Sequence, residues 1–218
     1  MTRLLLCVLV ALVPAAGAGQ SRQPAAEVAR ALQEKYDRVK DFTADFTHVY
    51  EGGVLNRKST ERGTVQIKKP GKMRWEYTAP EKKTFVSDGS KIYSYVPADK
   101  QVILSDVPAA DEATTAVLFL AGKGNLLRDF TVSYAETTIA GAVALRLDPK
   151  QKQRDYDWLI VTVDQSTMQI RGLTASDQQG GRSTFTFSNY RENTGIADNV
   201  FAFKIPRGAD VIRAGSSR

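Results

Sequence analysis

Cysteine and histidine are almost missing from this sequence: its 218 residues hold one of each. The cysteine is Cys7, in an apolar run near the start, and the histidine is His48, in a stretch of alternating aromatics. One of each leaves too few nitrogen and sulfur ligands for the usual zinc site, and any Ser-His-Asp arrangement would have to be built on His48. Neither a G-x-S-x-G elbow nor a Walker A loop occurs. "GKGNLL" shares glycines with dinucleotide loops but does not lead from a strand into a long helix, so it reads as a helix stop. Asp155 and Asp157 are two apart and Asp111 and Glu112 adjacent, which is the spacing of turns and caps and places no pair across a cleft. The longest apolar run is too short to span a bilayer as a helix. The basic excess of +6 is spread along the chain and interleaved with acids, so it forms no nucleic-acid stripe. No enzyme chemistry, metal, cofactor or nucleic-acid partner is expected.

What is present begins with a targeting segment. Met1 to Arg3 is a short basic start, Leu4 to Val13 an apolar run, and Ala16-Gly17-Ala18 follows Pro14. This order is that of a secretory signal peptide. The expectation is cleavage after Ala18, leaving 19–218 as a single domain with a net charge of +5, Arg3 being lost. Cys7 lies inside the apolar run, a poor place for lipid attachment. The exported chain would then hold no disulfide and no lipid anchor.

Beyond the signal, Pro24 to Lys40 reads as one amphipathic helix, with Ala25, Val28, Leu32, Tyr36 and Val39 on its apolar face. From Asp41 the period changes to two. Phe42, Ala44 and Phe46 alternate; so do Val65 and Ile67, then Met73, Trp75 and Tyr77. "KTFVSDGSKIYSY" reads as a hairpin about an Asp88-Gly89 turn, which sets Phe85 beside Ile92. Tyr93 and Tyr95 share a face, and which of the two pairs points inward stays open. Later segments, ending in "STFTFSNY" and "FAFKIP", bring the count to ten or eleven strands without βαβ alternation. The interruption at 108–128 carries Val117-Leu118-Phe119-Leu120, apolar on all sides, between an Asp111 cap and the stops at Gly122 and Gly124. Such a helix needs cover on more than one side, so it is expected over one opening of a curved sheet. Alternation alone is written equally by a filled core and by the wall of a ligand cavity.

The stretch "GTVQIKKPGKMRWEYTAPEKKTFVSDGSKIYSYVPADKQV", residues 63–102, resembles the LolA family of periplasmic outer-membrane lipoprotein carriers. The match runs through Lys69-Pro70, Trp75, Pro80, Ser87-Asp88-Gly89, Tyr93, Tyr95, Pro97 and Gln101. "LQEKYDRVKDFTADFTHVY" and "FAFKIPRGADVI" resemble the family's first helix and strand and its closing strand. The resemblance implies a mainly β fold, an incomplete antiparallel barrel of about eleven strands with a helical lid. It implies a monomeric periplasmic chaperone that takes acylated lipoproteins from an inner-membrane ABC transporter to an outer-membrane receptor, without a cofactor. Phe46, Val65, Ile67, Met73, Trp75 and Tyr77 would then line the lipid cavity, with Leu118 and Leu120 on the lid. The family places an arginine before the proline, where it holds the lid shut; this chain has Lys69, which by parity with Val65 and Ile67 points inward. The alternative is a lipid- or lipoprotein-sensing interaction domain of the same half-barrel type. A receptor of that type would need a lipidated cysteine after the signal, which this chain lacks.

Overall fold

The computed structural model describes residues 23–52, 58–107, 120, 122, 124–153 and 156–214. The expected signal, Leu118 and the acids Asp111, Glu112 and Asp155 lie outside them. Helix α1 spans Ala25–Arg38. Pro24 precedes it, where a missing N–H leaves nothing unpaired. Its apolar stripe buries Val28, Ala29, Leu32 and Tyr36, and Val39 behind it is buried too.

Strands β1 (Asp41–Glu51), β2 (Lys58–Lys68), β3 (Lys72–Ala79), β4 (Lys83–Asp88), β5 (Lys91–Val96) and β6 (Gln101–Asp106) form one antiparallel meander. After α2 (Leu126–Asp129), β7 (Phe130–Ala135), β8 (Ala142–Pro149), β9 (Trp158–Asp164), β10 (Ile170–Ser176) and β11 (Arg182–Glu192) form a second. β1 and β11 join the two into a single sheet in the order β12-β6-β5-β4-β3-β2-β1-β11-β10-β9-β8-β7. β7 and β12 are its free edges, so the barrel is incomplete. One face carries the core, over which α1 packs.

The C-terminal part departs from the expected pattern. "FAFKIP" is not a strand: Asp198–Phe201 form a 3-10 turn, and the next residues are extended but unpaired. The last strand is β12 (Asp210–Arg213), and it runs parallel to β6. The alternation of Phe201 and Phe203 has another cause, and Ile205 is exposed. This segment crosses the outer face of the sheet as a strap, burying Phe201 and stacking Phe203 on Tyr93 at 5.2 Å. Its start is fixed by the buried Asp41 carboxylate, which accepts from the Thr194 N–H at 2.7 Å and the Thr194 hydroxyl at 3.0 Å. Lys68 and Lys72 pair with Asp198 at 2.6 and 2.9 Å and hold its carboxyl down at about 2. Arg74 donates to the Val200 carbonyl at 3.2 Å.

The β4–β5 turn is also displaced. The loop is Gly89-Ser90, between the paired Lys72↔Asp88 level and Lys91, with Gly89 at φ +100. Asp88 fixes it by accepting from the N–H groups of Ser90 and Lys91, each at 2.8 Å. Phe85 therefore pairs with Ser94, and Ile92 with Ser87. A shift of two leaves the faces unchanged: Phe85 and Ile92 share the inner face, while Tyr93 and Tyr95 face the strap.

Gly63 shows why β2 needs a glycine. A Cβ there would strike the Glu76 carbonyl oxygen and come within 2.8 Å of Phe46 Cζ. The obstacle is backbone, which cannot rotate aside. Gly63→Ala is expected to lower unfolding free energy by about 2 kcal/mol or more; urea titration checks this, and an unchanged midpoint contradicts the packing.

Candidate functional site

Register brings the inward residues of neighbouring strands into rows. Phe42, Ile67, Met73 and Ser87 make one row; Ala44, Val65, Trp75 and Phe85 make the next; Phe46, Gly63, Tyr77 and Lys83 make a third. Phe46, Val65, Ile67, Met73, Trp75 and Tyr77 are all buried in one core. The Phe46 ring meets Trp75 at 5.1 Å, Tyr77 at 4.9 Å and Phe185 at 5.9 Å, each edge to face. Arg74 and Glu76, of opposite parity, face outward and bond each other at 2.7 Å.

At the α1 end of the rows three segments meet. The Tyr36 hydroxyl donates to the Leu120 carbonyl, and Leu120 is fully buried. Lys69 does point inward: its ammonium donates to the Tyr36 carbonyl and lies 4.1 Å from the centre of the Tyr36 ring. That carbonyl belongs to the last turn of α1, where a cation also meets the negative end of the helix dipole. The methylene stem of Lys69 packs against Gly122, whose φ is +79. Burial pushes the Lys69 pKa down, partly opposed by Asp37. Lys35, also on α1, pairs with Glu192 on β11.

At the opposite end the inward face turns polar in several strands at once. His48 Nδ1 lies 3.2 Å from Glu61 Oε2, and His48 Nε2 lies 2.7 Å from Ser183 Oγ. Glu61 also binds Lys83, whose ammonium sits 4.9 Å from the centre of the Tyr77 ring. The imidazole stacks flat on Phe185 at 4.2 Å. His48 is thus a member of a bonded cluster near the end of β1. A carboxylate only accepts, so Nδ1 carries the proton and Nε2 accepts from the Ser183 hydroxyl. Burial holds the imidazole pKa below its ordinary value, against the pull of Glu61. Lys83 shares the Glu61 carboxylate with His48, and Ser183 lies on β11.

Sequence reasoning missed Tyr190. Between Thr43↔Arg191 and Asp45↔Ser188, β11 carries an extra residue, and Asn189 takes φ +51 there. This bulge resets parity, so Tyr190 follows Phe185 and Phe187 inward and stacks on Phe42 at 4.7 Å. An asparagine ahead of a tyrosine was the available signal. Two buried donors have no hydrogen-bond partner among the described residues, Trp75 Nε1 and the Tyr190 hydroxyl.

A family model described as outer membrane lipoprotein carrier protein LolA matches residues 37–204. A protein of Chromohalobacter salexigens named outer-membrane lipoprotein carrier protein is 32% identical over 198 residues, covering 90% of each chain. One of the same name from Methylococcus capsulatus is 28% identical over 180 residues, covering 83% of this chain and 85% of its own. Among solved structures, an uncharacterised conserved protein of Thermus thermophilus superposes with a TM-score of 0.55 at 12% identity, covering 87% of this chain and 99% of its own. That last likeness concerns the fold alone.

His48 makes the acid response of this site readable, since no other histidine is present. Its folded pKa lies below the unfolded one. The stability it contributes is therefore complete above the ordinary histidine value and is lost as pH falls below it. The urea midpoint is expected to fall between about pH 7 and pH 5, and His48→Phe to flatten that slope. An equal slope in the variant would contradict the assignment.

Proposed function

The chain belongs to the LolA family of outer membrane lipoprotein carriers, and we propose that it holds the acyl chains of its cargo between the concave face of the sheet and α1. Its function is that of a lipoprotein carrier. We read residues 1–18 as the export signal and the periplasm as the place of work; no helix among the described residues is long and apolar enough to cross a membrane. Cargo would arrive from an inner-membrane ABC transporter and leave to an outer-membrane receptor, with no bond made or broken.

One observation supports the reading: Phe46, Val65, Ile67, Met73, Trp75 and Tyr77 share one buried apolar core with the inner face of α1, and Lys69 bonds the Tyr36 carbonyl of that helix. Each acyl CH₂ gains about 0.8 kcal/mol on leaving water, so a multiply acylated protein cannot cross water uncovered. On this reading hydrocarbon reaches these buried side chains when α1 moves aside. Met73 and the aromatic rings offer a wall that adapts to different chains.

Magnitudes divide the work of the cover. Burying Val28, Leu32 and Tyr36 contributes about 1.5–3 kcal/mol each. A charge-assisted bond contributes about 1.5–3 kcal/mol before the discount for the partial exposure of Lys69. Apolar packing therefore keeps α1 in place, and Lys69 biases the cover toward closing. Closing competes with bound hydrocarbon and favours its release. Lysine makes this a point contact where the family's arginine would offer a planar fork.

Native mass spectrometry of the protein from periplasm is expected to find co-purifying acylated lipoprotein; its consistent absence would count against the reading. Trp75→Glu is expected to abolish uptake of a fluorescent acyl probe, and normal uptake would remove Trp75 from the cavity. Lys69→Leu should load cargo but pass it poorly to receptor; wild-type transfer rates would end the gating role.

A further inference from the structure

The orphaned donor on Trp75 is the feature that carrying hydrocarbon leaves unexplained. Trp75 is 3% exposed, and its Nε1–H has no acceptor among the described residues. Its ring is set among Phe46 and Phe185, both at 5.1 Å, and Phe187 at 6.3 Å. An indole N–H only donates. A buried water needs two to four polar partners, and rings of this kind supply none, so a water is a poor answer to it. Phenylalanine would fill an acyl-chain wall without leaving a donor unpaired. The Tyr190 hydroxyl repeats the situation nearer α1, stacked on Phe42 at 4.7 Å and also without a partner among the described residues. The group that suits both is an acceptor borne on an apolar body.

We infer that Trp75 Nε1 donates to the carbonyl oxygen of an acyl ester or acyl amide, so that the interior reads the linkage of the acyl chain as well as the chain. The Tyr190 hydroxyl is a second donor for the same chemistry. This rests on the carrier reading above. An ether-linked or purely hydrocarbon ligand of equal length would enter the same space but leave the indole N–H unpaired. Recognition of the linkage gives preference for acylated molecules over plain hydrocarbon at little cost to release, because a single neutral hydrogen bond is weak.

The test uses the full exported chain carrying Trp158→Phe, which leaves Trp75 as the only indole; Trp158 lies on the outer face between Arg146 and Arg182. A diacylglycerol ester, an N-acyl amide and a dialkyl ether of matched chain length are titrated while the ¹⁵N indole resonance is followed. All three are expected to bind. Ester and amide should move the indole N–H downfield and bind about threefold to tenfold tighter than the ether. Trp75→Phe, which keeps an aromatic ring, should bind all three and lose most of that preference; Tyr190→Phe should reduce it further. Equal indole shifts with ester and ether, or full preference retained in Trp75→Phe, would overturn the inference while leaving the carrier reading intact. Failure of every probe to bind would overturn both. If Trp75→Phe does not fold, the indole shifts in the Trp158→Phe protein decide alone. A response to only the ester or only the amide supports the inference and identifies which linkage is read.

Discussion

The bond from the Tyr36 hydroxyl to the Leu120 carbonyl joins the two pieces of chain that cover the concave face, and Lys69 ties the Tyr36 carbonyl to the sheet. One tyrosine thus contributes its ring to the core, its hydroxyl to the cover and its carbonyl to the clasp. A sheet whose edges do not meet has an apolar face that no partner sheet buries. Part of that face is packed by α1, which buries Val28, Ala29, Leu32 and Tyr36 against the core.

The two ends of the interior are built differently. At the α1 end the polar contacts run between separate segments, from Tyr36 to Leu120 and from Lys69 to Tyr36. At the other end His48, Glu61, Lys83 and Ser183 bond one another across neighbouring strands and need no cover to be satisfied. The outer face is pinned independently, by Asp41 and the Lys68-Lys72-Asp198 cluster that hold the strap. Neither the far end nor the outer face draws these contacts from α1.

Much of this was legible because a half-buried strand writes its inner face as every second residue. Phe46, Val65, Ile67, Met73, Trp75 and Tyr77 could be placed together that way, and α1 from its three- and four-residue steps. What escaped had definite causes. The extra residue at Asn189 breaks the parity that would have led to Tyr190. In "FAFKIP" Phe201 and Phe203 pack against the outer face as parts of the strap, and alternation alone does not tell pairing from covering. The Asp88-Gly89 reading misplaced the turn because either glycine position in a two-residue loop fits the local sequence. The cluster about His48 had a weaker signal, a charge at Glu61 on the parity of Gly63 and Val65. The partners of Lys69 could not be read, since they depend on how α1 lies across the sheet.

β12 adds something to an otherwise antiparallel fold. An open sheet exposes a row of unpaired N–H and C=O groups at each end, a template on which another chain can add a strand. Here the chain's own C-terminal segment, brought round by the strap, occupies the edge of β6. It is only four residues long and includes Asp210 and Arg213. The tail thus serves as an edge guard: a second chain seeking to extend the sheet at β6 finds that position filled, and the new edge is short and charged at both ends.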